Sequence, residues 1–457
     1  MTQVKKSLAY GIDFGTTNTT IALVAGDRRA RTLGIDKEAA DASVLRSLMY
    51  VSPQRTFLFG AEAVEAYLAD VAQGEQRRKK LIYTGKHFKM GKFSFVAGYV
   101  GEEWVPLILE IEEGTGGRLL QSLKSALSST MLREIDIFGR SVSVEELLSI
   151  FLGEVKRRAD ELVGGKVDSV VIGKPVHFVG ENDEGAVKRL RKAAELAGFK
   201  EIEFEYEPVG AAWDYGLGYG NNEQLIFVFD FGGGTLDFSI VKFPERKILG
   251  TGGLPLGGDL IDSQIFMSKL AMYFGSEARY GQNQMKFPMS IFEQLRSWYQ
   301  ISLLKKESFL GTLEDLRYKC TDLKALEALN SLVVNNLGLA LYEEIDRAKK
   351  ELSFYTEAEI NLCAKDIDFS EKFVREKFES VIAEDLAKID QEIAETLKVT
   401  GVKAEDIDFV VTTGGSSQIP IVRKRLEKVF GAGKLRSQET FTSVAVGLAL
   451  RAAEIFG

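Results

Sequence analysis

The chain has 457 residues, 45% of them hydrophobic and 27% charged, which is typical of a folded globular protein of two or three domains. Its formal net charge of -8 argues against nucleic acid or an anionic membrane as a partner, because both require concentrated Lys and Arg. Two cysteines and two histidines exclude a disulfide framework and a His-based metal site, and without an apolar run of roughly 18 residues to cross a bilayer, we expect a cytoplasmic protein.

A hairpin is predicted near the N-terminus. Ser7–Asp13 has the apolar pattern of a buried strand, Phe14–Asn18 reads as a turn, and Thr19–Val24 as the returning strand. The tip of this hairpin is therefore made of small and polar residues.

The next part of the chain alternates helices with strands. Apolar residues at helical spacing predict a helix over Val144–Val163, followed by a strand at Ser169–Ile172. A second helix is predicted at Glu184–Ala197, ended by Gly198, before the alternating strand around Phe204. This alternation indicates an α/β lobe with a mixed sheet.

The hairpin pattern then appears a second time. Strand Leu225–Asp230, tip Phe231–Thr235 and strand Leu236–Val241 repeat the earlier order, and both tips follow an Asp-Phe-Gly sequence. An internal repeat about half a chain apart indicates two related halves, which we expect to face each other across a cleft.

The remaining segments are mostly helical in pattern. Ile261–Glu351 is predicted to be largely helical, and a later helix is predicted from Ser370, as N-cap, to Leu397. A last strand, Asp408–Thr412, leads into the loop Gly414–Ser417 and a helix that opens at Pro420.

Glycines at a hairpin tip let backbone N–H groups approach an anion closely, which suits phosphate. Asp13 and Asp230, at the strand ends, suit the water shell of Mg²⁺, because this ion keeps several waters and meets few carboxylates. One such loop is equally consistent with an ordinary glycine turn, but two matching loops and the Gly414–Ser417 loop favour phosphate binding. The chain contains neither a G-x-x-x-x-G-K-[ST] run nor a G-x-G-x-x-G unit between a strand and a helix.

Five ordered motifs resemble the nucleotide-binding domain of heat-shock protein 70 chaperones, and in particular their short bacterial relatives of the YegD type. They are GIDFGTTNT from Gly11, VVIGKPVHF from Val170, EYEPVGAAWDYG from Glu205, FVFDFGGGTLDFSIV from Phe227 and VVTTGGSSQIP from Val410. The resemblance is collinear over essentially the whole chain.

The resemblance implies an α/β, two-lobed actin-like ATPase fold, in which duplicated ribonuclease-H-like halves surround a nucleotide cleft. Lobe I would comprise residues 1–222 and the C-terminal helix 440–457, and lobe II residues 223–439 with a helical subdomain at about 262–342. Val444–Phe456 is apolar enough for such a closing helix. The chain stops where the family continues into a peptide-binding domain, so we expect none here.

The resemblance also implies roles for individual residues, with ATP or ADP and Mg²⁺ as the bound groups. Asp13 and Asp230 would hold the metal through water, Glu207 would orient or deprotonate the attacking water, Asp237 belongs to the second tip, and Lys124 would reach the γ-phosphate. The nucleotide-binding residues would be Gly15, Thr16, Thr17, Asn18, Gly232, Gly233, Gly234, Thr235, Gly258, Asp346, Lys349, Lys350, Ser353, Gly414, Gly415, Ser416 and Gln418.

Two points stay open in this assignment. Lys86 competes with Lys124 as the phosphate lysine, because its Gly-Lys-His-Phe setting also resembles a family pattern. The sequence departs from the family at Gln418, where an arginine commonly stacks on adenine, and at Phe441, where an aspartate is usual. Lost stacking is worth on the order of 1 kcal/mol, which predicts weaker nucleotide binding.

The favoured function is an ATPase related to the chaperones, whose lobe closure is coupled to a protein partner or co-chaperone. One alternative is a small-molecule kinase of the same superfamily, because two lobes that close on ATP can also deliver a phosphoryl group to a hydroxyl. The other alternative is a nucleotide-gated, actin-like structural protein, suggested by the departures at Gln418 and Phe441.

Overall fold

The computed structural model describes residues 8–457 except 26–28, 75–78, 95–97, 113–116, 122, 125, 128–133, 177, 179–182, 217–222, 246, 299–300, 302–303, 305–306 and 438–441. Phe441 and the side chain of Lys86 therefore lie outside the described residues. Two mixed sheets dominate the described part of the chain.

The first sheet is built around the N-terminal hairpin. Its central strand is paired antiparallel with the returning strand and parallel with a later strand, in the register Ile12 to Ile21 and Ile12 to Ile172. The order of the strands is Glu201–Tyr206, Ser169–Lys174, Ala9–Phe14, Asn18–Val24 and Ala30–Thr32, with Leu45–Arg46 also paired to the returning strand.

The second sheet repeats this plan around the second hairpin. Asp230 is paired antiparallel with Asp237 and parallel with Thr413. The order of the strands is Leu435–Ser437, Phe409–Thr413, Gln224–Phe231, Leu236–Phe243 and Lys247–Leu254. Both sheets thus place two parallel strands on one side of a hairpin and an antiparallel strand on the other, which confirms two related halves.

The helix Ser443–Phe456 packs against the first sheet and against helix Glu207–Gly216, which in turn packs against the second sheet. A small apolar cluster around Leu448 joins it to Val171 of the first sheet and to Val228 of the second. A side chain at Gly447 would place its Cβ 1.6 Å from the carbonyl oxygen of Gly210, so the close helix crossing here requires glycine.

Local capping explains why several predicted boundaries hold. Helix Val144–Val163 begins with a reciprocal capping box between Ser143 and Glu146, and it ends at Gly164, whose φ of 70° is left-handed. Helix Asp183–Leu196 is followed by Gly198 with a φ of 98°.

The helical segment after the second sheet agrees with its prediction. The predicted start of the later helix at Ser370 was wrong. Ser370 lies in strand Ile367–Val374, which is paired with Glu357–Ala364 and shows strict alternation of buried and exposed residues. Period-2 alternation selects a strand there, and helix begins only at Arg375. The helices of this half are Gly258–Ile265, Met289–Gln294, Glu307–Arg317, Leu323–Val334, Gly338–Phe354, Arg375–Val381, Ala383–Thr400 and Pro420–Phe430.

Smaller elements surround the first sheet, among them helices Gly60–Gly74 and Glu207–Gly216. Further strands are Leu48–Val51, Phe57–Phe59, Lys79–Ser94, Gly98–Glu112, Arg118–Gln121, Glu134–Ile137 and Arg140–Ser143, and a short pair forms at Arg279–Tyr280 and Met285–Lys286. Over the residues described, no helix has the length and apolar character needed to cross a membrane.

Candidate nucleotide site

The two hairpin tips adopt the same backbone arrangement. In the first tip the N–H of Gly15 donates to the carbonyl oxygen of Asn18 at 2.9 Å, and in the second the N–H of Gly232 donates to that of Thr235 at 3.0 Å. The matching Asp-Phe-Gly sequences therefore fold into matching turns.

The tips face each other with almost no space between them. A Cβ added at Gly233 would lie 2.2 Å from the Oγ1 of Thr17, and one added at Gly234 would lie 2.4 Å from the Oγ1 of Thr16. The hydroxyl oxygen of Thr17 is buried and makes no hydrogen bond among the described residues. Glycine is thus required by the close approach of the tips, and an orphaned hydroxyl is available to a ligand.

A buried ion pair lies in the wall of the cleft that the tips form. Lys124 Nζ donates to Glu207 Oε1 at 2.5 Å, and the two residues are each only 6% exposed. Burial alone would lower the pKa of Lys124, but the charges of Glu207 and Asp13 outweigh it and raise that pKa. Glu207 is the first residue of helix Glu207–Gly216, so the helix dipole also favours its charge.

Three buried aspartates lie near Glu207, and ionising all of them would concentrate negative charge beside the tips. Burial and the nearby charge of Glu207 raise the pKa of Asp13 to about 7. The same two causes raise the pKa of Asp230 well above its usual range. Asp237 lies behind the cleft wall, where its carboxylate accepts a hydrogen bond from the N–H of Val176 at 2.6 Å, and burial raises its pKa to about 7. One lysine cannot neutralise these carboxylates, so the cluster favours a bound cation.

The donor set fits a hydrated magnesium ion better than a directly bound metal. Asp13 and Asp230 both line the cleft beside the tips. Where the chain is described, no three His, Cys, Asp or Glu side chains are grouped closely enough to hold a metal ion directly. Magnesium keeps several of its waters and needs only one or two carboxylates, which this arrangement offers.

The other end of the cleft is centred on Lys349 in helix Gly338–Phe354, which we call the nucleoside helix. Lys349 Nζ lies 2.7 Å from Asp262 Oδ1 and 3.1 Å from Asp346 Oδ1. Burial raises the pKa of Asp262 to about 6 against the opposing charge of Lys349, whereas the charges of Lys349 and Lys350 outweigh burial and lower the pKa of Asp346.

The loop after the last strand of the second sheet lies against the second tip. Gly414 has a φ of 77°, and its added Cβ would lie 2.3 Å from the carbonyl oxygen of Phe231. Ser416 Oγ donates to the carbonyl oxygen of Gly232 at 3.2 Å, and the N–H of Gly258 donates to the same oxygen at 3.0 Å. Backbone and side-chain hydrogen bonds therefore fix the loop, the tip and the following helix as one unit.

Apart from Asp237, the structure brings the predicted site residues together around one continuous cleft. Its phosphate end is lined by Asp13, Gly15, Thr16, Thr17, Asn18, Lys124, Glu207, Asp230, Gly232, Gly233, Gly234, Thr235, Gly414 and Gly415. Its nucleoside end is lined by Gly258, Asp346, Lys349, Lys350, Ser353, Ser416 and Gln418. Because the side chain of Lys86 is not described, the choice between the two lysines stays a prediction.

Several residues of the cleft were missed by the sequence analysis. Arg46, Gln121, Trp298, Tyr342 and Phe354 line the nucleoside end. Asp262, the ion-pair partner of Lys349, and Glu343, which pairs with Arg46 at 3.0 Å, were missed too. Tyr342, Glu343 and Phe354 belong to the helix that carries the predicted Asp346 and Ser353, which was a usable signal. Arg46, Asp262 and Trp298 come from segments with no motif.

Comparison with known proteins agrees with this geometry. A family model described as Hsp70 protein matches residues 120–289 and 317–457, which is more than half of the chain. The match leaves out residues 1–119, which contain the first hairpin, and residues 290–316, which contain Trp298 of the cleft wall. The chaperone protein DnaK of Thermosipho africanus (strain TCF52B) is 24% identical over 462 residues, and this match covers 99% of the chain and 60% of that protein.

The family match includes the second hairpin, the nucleoside helix and the loop at Gly414, which line much of the cleft, but not the first hairpin tip. The repeated sheet plan agrees with the actin-like ATPase fold of that family. The chain therefore belongs to the Hsp70 family.

Proposed function

We propose that this chain binds Mg-ATP in the cleft and hydrolyses it to ADP and phosphate. The observation that carries the proposal is the buried pair of Lys124 and Glu207, which opens onto the same cleft as both glycine tips. A lysine and a carboxylate held 2.5 Å apart supply a phosphate partner and a proton acceptor in one place.

The phosphate chain would lie on the two tips. Backbone N–H groups of Gly233 and Gly234 and the hydroxyls of Thr16 and Thr17 provide donors, and the free Thr17 hydroxyl supports this role. Lys124 would direct one of its N–H donors, which now meets Glu207, to the γ-phosphate.

Glu207 would accept a proton from the attacking water. The water oxygen forms a bond to the γ-phosphorus, and the bond from that phosphorus to the β–γ bridging oxygen breaks, so that ADP leaves. Asp13 and Asp230 would hold Mg²⁺ through its waters, and that ion would offset negative charge on the phosphates. The excess of buried carboxylates at this end supports such a cation.

The nucleoside would occupy the end around Lys349. The ion-paired Asp346 and Lys349 offer a hydroxyl acceptor and a donor to a ribose, and Ser353, Gly415 and Gln418 line the space beyond them. Polar groups fixed by neighbouring ion pairs orient a ligand at low entropic cost, which supports a specific nucleoside site.

We further propose that the lobes comprise residues 1–222 with 440–457 and residues 223–439, and that ATP-dependent closure of the cleft drives a protein partner or co-chaperone. The chain spans about 60% of the length of the curated DnaK relative, so the output of this motion is inferred from the family alone.

The proposal is tested by calorimetric titration with Mg-ADP and by phosphate release from Mg-ATP, each repeated with EDTA. We expect binding and slow turnover that both decline when the metal is chelated. If the protein shows no binding and no turnover, the proposal is refuted. Transfer of the γ-phosphate to an added sugar or organic acid would favour a kinase, and nucleotide-dependent sedimentation would favour a filament.

A further inference from the structure

We propose that Phe354 is the stacking platform for the nucleobase. The inference rests on the proposed nucleotide binding and adds the residue that holds the base. Phe354 is the last residue of the nucleoside helix, and it lines the cleft beside Ser353 and Lys350.

The exposure of Phe354 is unusual for its position. Its residue surface is 79% exposed, the largest value for any bulky apolar residue that the structure describes. Single exposed apolar side chains are common on protein surfaces, so exposure alone indicates nothing. An open phenyl ring at the mouth of a ligand cleft, however, offers a flat apolar face that a bound base can cover.

The backbone on both sides of Phe354 is held firmly. Arg375 donates from Nε to the carbonyl oxygen of Leu352 at 2.8 Å and from Nη2 to that of Tyr355 at 2.7 Å. The N–H of Tyr355 donates to the carbonyl oxygen of Glu351, also at 2.7 Å. These bonds satisfy the end of the helix and fix the point from which the ring projects, so the platform is preorganised.

The other aromatic rings described at this end are already packed. Trp298 and Tyr342 are each 7% exposed, and their rings lie 6.5 Å from Tyr67 and 6.2 Å from Phe266. The arginines of the lining, Arg46 and Arg296, pair with Glu343 and Glu293. Because aromatic stacking uses the π-face that every base has, Phe354 would support different nucleobases about equally. Selectivity would then come from polar contacts of the base with neighbours such as Ser353 and Gln418.

The test is calorimetric titration of the full chain with Mg-ADP, Mg-GDP and Mg-pyrophosphate. We expect Phe354→Ala to weaken both nucleotides by roughly tenfold and to leave pyrophosphate binding unchanged, because pyrophosphate has no base. Phe354→Trp should retain nucleotide affinity, and Phe354→Leu, which is apolar but not aromatic, should lose most of it.

Tyr355→Ala is the matched control, because Tyr355 is the next residue and is 64% exposed but does not line the cleft. It should leave all three affinities unchanged. The inference is overturned if wild type binds ADP and Phe354→Ala binds it equally well, or if Tyr355→Ala loses as much. A wild-type protein that binds no nucleotide refutes the proposed function instead, and this outcome is visible before any variant is made.

Discussion

The two ends of the cleft are built in different ways. The phosphate end consists mainly of backbone: its two glycine tips lie so close that a Cβ at Gly233 would be 2.2 Å from the Oγ1 of Thr17. The nucleoside end consists mainly of side chains, many of them from one helix, joined by residues such as Trp298 from other segments.

This difference explains which end of the cleft tolerates changes in sequence. A Cβ at Gly233 or Gly234 would collide with Thr17 or Thr16 of the first tip, and one at Gly15 would collide with the carbonyl oxygen of Asn18, so packing fixes these three glycines. At the nucleoside end, Gln418 and Phe354 project from backbone that other contacts hold, so their chemistry can change without disturbing the fold. We therefore expect changes at the first end to affect turnover and changes at the second to affect affinity.

The largest effect is expected from Glu207→Gln. Removing the proton acceptor should slow single-turnover phosphate release by at least roughly 100-fold, while ADP affinity changes little. Glu203→Gln is the control, because Glu203 is exposed on the strand that precedes Glu207. Unchanged turnover in Glu207→Gln would remove the catalytic role from this residue.

The next largest effect is expected from Lys349→Met at the nucleoside end. This change leaves the buried Asp262 without its cation, so the free energy of unfolding should fall by about 3 kcal/mol, and ADP binding should weaken as well. Urea denaturation and calorimetric titration measure the two effects.

Two further variants separate stability from binding at that site. Adding Asp262→Asn to Lys349→Met should recover most of the stability but not the affinity. Lys350→Met, whose side chain is 67% exposed, should cost less than about 1 kcal/mol. Equal losses of stability and of ADP affinity in Lys349→Met and Lys350→Met would contradict a special role for Lys349.

A pH effect is expected at the phosphate end. Because the folded pKa of Asp237 is about 7 and its ordinary value is 3.8, the folded state binds the proton more tightly. Stability should therefore fall as pH rises from about 4 to about 7 and level off above that range, by at most about 1.4 kcal/mol per pH unit.

Asp237→Asn should make this profile shallower, because the amide keeps an acceptor for the N–H of Val176 and carries no charge, while the raised pKa values of Asp13 and Asp230 still contribute a slope. The melting temperature without nucleotide or magnesium, followed from pH 5 to pH 8, checks the difference. Identical profiles for the two proteins would show that Asp237 does not titrate in this range.

The smallest effect is expected from Gln418→Arg. A guanidinium on the base should tighten ADP binding about fivefold, corresponding to about 1 kcal/mol of stacking. Turnover in a single-turnover assay should stay the same, because Gln418 lines the nucleoside end and not the phosphate end. Tighter ADP binding together with a changed single-turnover rate would show that the two ends of the cleft do not act independently.

Local signals made much of the fold and the phosphate end predictable. The Asp-Phe-Gly repeat predicted two matching tips, and the helix Val144–Val163 was predicted to the residue because its cap at Ser143 and its stop at Gly164 are adjacent in sequence. Ser370 shows the limit of such signals. A hydroxyl suited to a helix N-cap was outweighed by pairing with the strand Glu357–Ala364.

By itself, the sequence determined the duplicated hairpins, the acidic strand ends and the family resemblance, because each depends on residues close together in the chain. Only the tertiary structure decided that Lys124 meets Glu207, 83 residues away, that Lys349 meets Asp262, and that Phe354 opens onto the cleft. Ion pairs and cavity walls depend on how distant segments pack, and packing leaves no periodic pattern in the residues that it brings together.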